Sequence, residues 1–158
     1  MNWDAVGAIA ELLGAIGVIG SLIYVASQVR ASTVASKVES KLHLTQNMVS
    51  YGDLLISSPE LNELMINGRK GIDTLSKSEY LQFSNLALKA CWYLSDGLFM
   101  YQMKSISEDD WHELRTIAVY WCMSKGFQEW WTTLGRLNFT GKFAAFIDHE
   151  IELANSSK

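Results

Sequence analysis

The sequence predicts an all-α protein: a long N-terminal transmembrane helix continuing into a compact cytoplasmic helical bundle. Three observations carry this expectation. Residues 6–29 form a nearly uncharged apolar run, apolar residues downstream recur at helical spacing, and no stretch alternates apolar and polar side chains as a half-buried strand would. The division that follows is 1–30 as a transmembrane anchor, 31–57 as a helical extension and 58–158 as a cytoplasmic helical domain.

Composition narrows the function classes. The chain is 49% hydrophobic but only 19% charged, below the roughly 25% of an average soluble domain. The deficit sits at the N-terminus, where residues 1–30 hold only Asp4, Glu11 and Arg30. Six Trp, six Tyr and six Phe with a single Pro exclude a disordered or low-complexity chain. A net charge of −4 offers no basic surface for nucleic acid. The two cysteines, Cys91 and Cys122, make neither a disulfide framework nor a metal-ligand spacing, and as free thiols they suit a reducing compartment.

The first element is the apolar run VGAIAELLGAIGVIGSLIYVASQV, 24 residues with one charge. As a helix it reaches about 36 Å, enough for a hydrocarbon core of roughly 30 Å with some tilt. Trp3 and Tyr24 lie near its ends, where amphipathic rings collect. A cleavable signal peptide fits poorly, because a basic leading segment is missing and the run exceeds the usual length. A buried central helix of a soluble bundle is the competing reading, and length favours the span. Arg30, Lys37 and Lys41 follow the run and no basic side chain precedes it. The positive-inside rule then puts the N-terminus outside and the C-terminal domain in the cytoplasm.

Gly7, Ala10, Gly14, Gly17 and Ser21 fall at alternating steps of three and four, on one helical face. Small side chains let backbones approach in lipid, where close packing replaces the hydrophobic effect as the source of association. This stripe is the expected oligomer interface. Its register continues through Tyr24, Gln28, Ala31, Ala35, Val38, Leu42, Thr45 and Val49, with no Gly or Pro between Ser21 and Tyr51. One helix over about residues 3–56 is therefore expected. Val34, Val38, Leu42, Met48 and Val49 give its second half an apolar face, which could seat the C-terminal helices of the same chain or another subunit. Glu11 is the one ionisable side chain at membrane depth, on the flank of the stripe. Two readings hold for it: it faces a neighbouring chain or a central lumen, or it reaches water from a turn and a half inside the membrane edge.

Later helices are punctuated by caps. Ser58-Pro59-Glu60 opens a short helix whose LNELMIN stretch runs into Gly68 and Gly71. Ser76 to Glu79 is a capping box before a long stretch, Tyr80 to Lys104, with Leu81, Phe83, Leu86, Leu88, Ala90, Trp92, Leu94, Leu98, Phe99 and Met103 as its apolar positions. Ser107 and three acids open a helix with Trp111, Leu114, Ile117, Ala118 and Trp121 as its stripe. Ser124 and Thr140 are N-cap candidates for 125–134 and for 141–154.

No catalytic constellation emerges, and no enzyme is expected. His43, His112 and His149 are scattered, the acids around His112 suit a solvated first turn, and Asp148-His149-Glu150 reads as a solvated face. No cofactor or metal is implied. The Trp residues are expected mainly in the core, although Trp130 and Trp131 diverge by about 100° on a helix, which leaves one of them for a groove or subunit contact, and a ligand pocket walled by these rings stays open.

Four distinct segments carry a resemblance: Trp3-Asp-Ala-Val-Gly7-Ala-Ile-Ala-Glu11, Ser21-Leu-Ile-Tyr24-Val-Ala-Ser-Gln28-Val-Arg30, Ser57-Ser-Pro59-Glu60-Leu61 and Gly126-Phe-Gln-Glu-Trp130-Trp131. In these the chain resembles a broad group of uncharacterised bacterial single-span membrane proteins with a C-terminal helical domain. The resemblance implies a bacterial inner-membrane anchor and raises interest in Glu11 and Gln28 as pore or interface residues; it transfers no activity. The expected function is a self-associating scaffold or regulator in the lipid bilayer, a homo-oligomer with a cytoplasmic or membrane protein partner. The alternative is a small homo-oligomeric ion channel with Glu11 near the pore.

Overall fold

The computed structural model describes residues 3–156, apart from the side chains of residues 3, 5, 6 and 10. Every regular element among the described residues is helical: α1 Trp3–Ile56, α2 Pro59–Lys70, α3 Lys77–Gln102, α4 Glu108–Cys122, α5 Lys125–Thr133 and α6 Gly141–Ser156. Short 3-10 turns, Ile72–Thr74 and Gly135–Asn138, link α2 to α3 and α5 to α6. The chain divides into two compact units, 1–39 and 40–158.

In the first unit, α1 is the one helix among the described residues long and apolar enough to cross a membrane. Its large aliphatic side chains are exposed all round. Its hydroxyls are satisfied within the helix: Ser21 donates to the Gly17 carbonyl, Ser27 to that of Tyr24 and Thr33 to that of Val29. Such back-bonding lets a helix carry Ser and Thr without requiring water.

The second unit is a bundle around an aromatic core. Its α4 packs on α3 and α6, while α2 packs on α3 and α5. The 40–56 stretch of α1 contributes Leu44, with Tyr51 and Leu55 packed against the same core. Of the two occupants expected for the apolar face read from the sequence, the helices of the same chain cover little of it. Val34, Val38, Leu42 and Val49 are exposed, and the buried register is Leu44, Tyr51 and Leu55, which the 3.6-residue period turns away from Val38, Leu42 and Val49; Met48, 49% exposed, lies only about 40° from Leu44.

Capping follows the sequence at three starts. Ser58 accepts from the Leu61 N–H, and Ser76/Glu79 and Ser107/Asp110 form complete capping boxes. Ser124 stands at the N-cap of α5, but its hydroxyl donates to the Trp121 carbonyl at the end of α4 and caps nothing. Gly68 lies inside α2 instead of ending it. There the ring of Phe83 fills the space a Cβ would take.

In α3 the inward face is Phe83, Leu86, Ala90, Leu94 and Leu98. Leu81, Trp92 and Phe99, expected among the buried positions, are more than half exposed. At 100° per residue all three point within about 20° of the direction opposite Phe83. Met103, just past the helix end, is exposed as well. Gly97 makes room for the Leu114 side chain of α4. Trp130 and Trp131 are both buried, so neither lines a surface groove. Short α5 lies among α2, α4 and the 135–138 turn, so diverging directions still end in core.

The tightest packing is backbone on backbone. A Cβ at Gly126 would land on the carbonyl oxygen of Gly68. Gly126→Ala is expected to cost about 3 kcal/mol or more, because neither backbone can give way. Gly52, where a Cβ meets nothing within 4 Å, supplies the contrast: Gly52→Ala is expected to stabilise by up to about 1 kcal/mol through helix propensity. Urea titrations followed by circular dichroism separate the two.

Candidate functional site

The stripe and its flanks lie along one stretch of α1. Gly7, Gly14 and Gly17 have no atom within 4 Å of the position of a Cβ, so packing within the chain does not require their small size. Ser21 is exposed beside them; the Ala10 side chain lies outside the described residues. Glu11 and Gln28 are exposed too. They are 17 residues apart, about 25 Å along a helix, and do not form one site.

The second unit holds polar pairs that fasten its helices. The Arg115 Nε donates to Glu150 at 2.7 Å, linking α4 to α6, and the Glu150 side chain is 3% exposed. Asp148 accepts from Trp131 Nε1 and Arg136 Nε, each at 2.8 Å. The expectation of a solvated face at 148–150 is thus corrected: His149 is exposed, but both acids are engaged across the fold. Their helical positions coincide with the edge of the inward face, where Ile147 and Ile151 also sit. Lys41 of α1 pairs with Asp110 of α4. Hydrogen bonds from Lys41 and from Ser107 hold the Asp110 carboxyl down at about 2. Arg69 donates to the Tyr120 carbonyl at 2.8 Å and stands 3.5 Å over the Tyr120 ring.

The cysteines are buried, as their apolar neighbours suggest. Burial pushes the Cys91 thiol far up and that of Cys122 to about 12, so neither is a thiolate at neutral pH. Among the described residues, no group of three or more His, Cys, Asp or Glu side chains could hold a metal ion.

The ligand pocket that the Trp-rich stretch left open has a candidate in the structure. A half-open cavity of about 430 Å³ lies among the 47–52 stretch of α1, α3 and α4. Its walls include Met48, Tyr51, Trp92, Tyr93, Ile117 and Trp121, and Lys89 and Asp96 also line it. A neighbouring cavity of about 320 Å³ shares Met48, Tyr93 and Ile117. Burial raises the Tyr51 hydroxyl far above its ordinary value and that of Tyr93 to about 12, so both remain protonated donors at neutral pH. The Tyr51 hydroxyl has no hydrogen-bond partner. The signal available in the sequence was Gly52, a helix-interior glycine outside the small-residue stripe.

Comparison with known proteins gives no matching family model, no matching curated protein and no matching solved structure.

The Arg115–Glu150 pair predicts its own mutational signature. Arg115→Ala strands a buried carboxylate and is expected to cost about 3 kcal/mol. Adding Glu150→Gln removes the charge and is expected to restore part of that loss. Chemical denaturation of the single and double variants measures both.

Proposed function

We propose that this chain is a membrane-anchored, self-associating helical protein whose bundle scaffolds or regulates a partner protein. The observation that carries this reading is the uncovered apolar surface of α1. Ten aliphatic side chains from Ile9 to Val29 are each between 55% and 66% exposed. Each gains roughly 1–2 kcal/mol on leaving water, and a helix apolar all round requires cover on every side. Lipid supplies most of that cover. The face of Gly7, Gly14, Gly17 and Ser21, with Ala10 in the same register, is where a second helix approaches closely. Basic residues on the C-terminal side of the run favour a cytoplasmic bundle at the bacterial inner membrane.

Gly14→Leu combined with Gly17→Leu is expected to convert the detergent-solubilised oligomer to monomer, read as mass by light scattering. An unchanged mass, or a monomeric wild type, removes the reading.

Glu11 favours a second reading. It is exposed and without a hydrogen-bond or ion-pair partner among the described residues. In a ring of helices such a carboxylate forms a cation-selective constriction. Purified protein in planar bilayers is then expected to conduct, with cation selectivity reduced in Glu11→Gln. Silence of both proteins excludes the channel.

A further inference from the structure

We propose that the cavity among α1, α3 and α4 binds a small, neutral, ring-containing molecule with one hydrogen-bonding group. Its volume of about 430 Å³ lies within the roughly 300–1,000 Å³ range of small-molecule sites. Four aromatic residues, Tyr51, Trp92, Tyr93 and Trp121, line it, and rings stack on rings at little entropic cost. Trp92 is 56% exposed, yet its ring is braced by Phe139 at 5.2 Å. A braced, solvent-facing tryptophan on a cavity wall is a ready anchor for a ligand.

Gly52 supports a space that is kept open. Glycine in a helix interior costs about 1 kcal/mol relative to alanine. At Gly68, Gly97 and Gly126 neighbouring atoms already occupy the space of a Cβ, whereas at Gly52 nothing lies within 4 Å. Gly52 also lines the cavity, so its missing side chain leaves the volume unfilled.

The polar groups define the rest of the ligand. Asn47 and Ser50 line the cavity and offer hydrogen bonds to a polar group of the ligand, whereas the Tyr51 hydroxyl is sealed from solvent and contributes only its ring. Lys89 and Asp96, both exposed, line the cavity with opposite charges. Their potentials offset each other, so neither an anion nor a cation is favoured over a neutral ligand.

Benzophenone, a neutral two-ring ketone that crosslinks to nearby C–H bonds on irradiation, is the probe. Full-length protein in nanodiscs is irradiated with increasing benzophenone, and adducts are mapped by peptide mass spectrometry. Labelling of residues 9–29 by probe dissolved in lipid serves as the internal standard. Saturable adducts are expected on the peptides containing Met48 and Trp92. Gly52→Leu, which fills the space, is expected to lower that yield about tenfold, and Trp92→Ala about fivefold. Trp92 is more than half exposed, so Trp92→Ala, shown folded by circular dichroism and read on the Met48 peptide, decides the matter if Gly52→Leu does not express. Absent or non-saturable labelling at the cavity overturns the proposal. So does a yield that neither variant changes.

Discussion

Between α2 and α5 there is no room for a methyl group. Gly126 rests on the Gly68 carbonyl, and the space of a Cβ at Gly68 is taken by the ring of Phe83. Three helices are thereby brought to a single point. From that contact the direction of α5 sends Phe127, Trp130 and Trp131 into the core, where Phe127 stands 5.5 Å from Trp121 and Trp131 stands 5.8 Å from Phe139. The same approach places Glu129 beside the 72–74 turn, where it accepts from the Ile72 N–H at 3.0 Å and pairs with Lys125. Gly135 completes the arrangement by yielding its side-chain space to the Trp130 ring. A nine-residue helix is too short to persist alone; close packing on every side is what holds it.

Polar groups at the edges of this core act as fasteners. Trp131 illustrates the logic: its ring is buried among aromatic neighbours while its N–H donates to Asp148, which also accepts from Arg136. One carboxylate thus serves α5, the 135–138 turn and α6. Glu150 joins α6 to α4 in the same way, through Arg115. Such pairs add geometric specificity to a core whose apolar contacts are themselves non-directional. The buried indole N–H of Trp130 has no partner, a cost accepted where close packing of its ring on Gly135 dominates.

Local signals made most of the fold legible. Caps at Ser58, Ser76 and Ser107 act over three residues and were readable in the sequence; the uninterrupted stretch after Ser21 likewise marked α1 as helix to Ile56. Burial was less legible, because it depends on partners far away in the chain. Leu81, Trp92 and Phe99 look like core by composition, and only the position of Phe83 fixes which side of α3 is inward. Glu150 looks like surface by charge, and Arg115, 35 residues distant, makes its burial tolerable. Val38 and Leu42 lost the inward face of α1 to Leu44 and Tyr51 for the same reason. The stripe was visible as spacing, whereas the place of the cavity was not, since an empty volume has no residue of its own.

Glycine separates the two kinds of sequence signal. At Gly68, Gly97, Gly126 and Gly135 small size answers to an atom already in place, and the residue is explained by the fold. At Gly7, Gly14, Gly17 and Gly52 the chain itself makes no such demand. A helix that forgoes side chains where its own fold leaves space gives up propensity without gaining packing. The return must come from something outside the chain. Along 7–21 the proposed return is a second helix at close range in lipid; at Gly52 it is a small molecule against Trp92. Both readings therefore rest on the same physical contrast between a glycine that is crowded and one that is not.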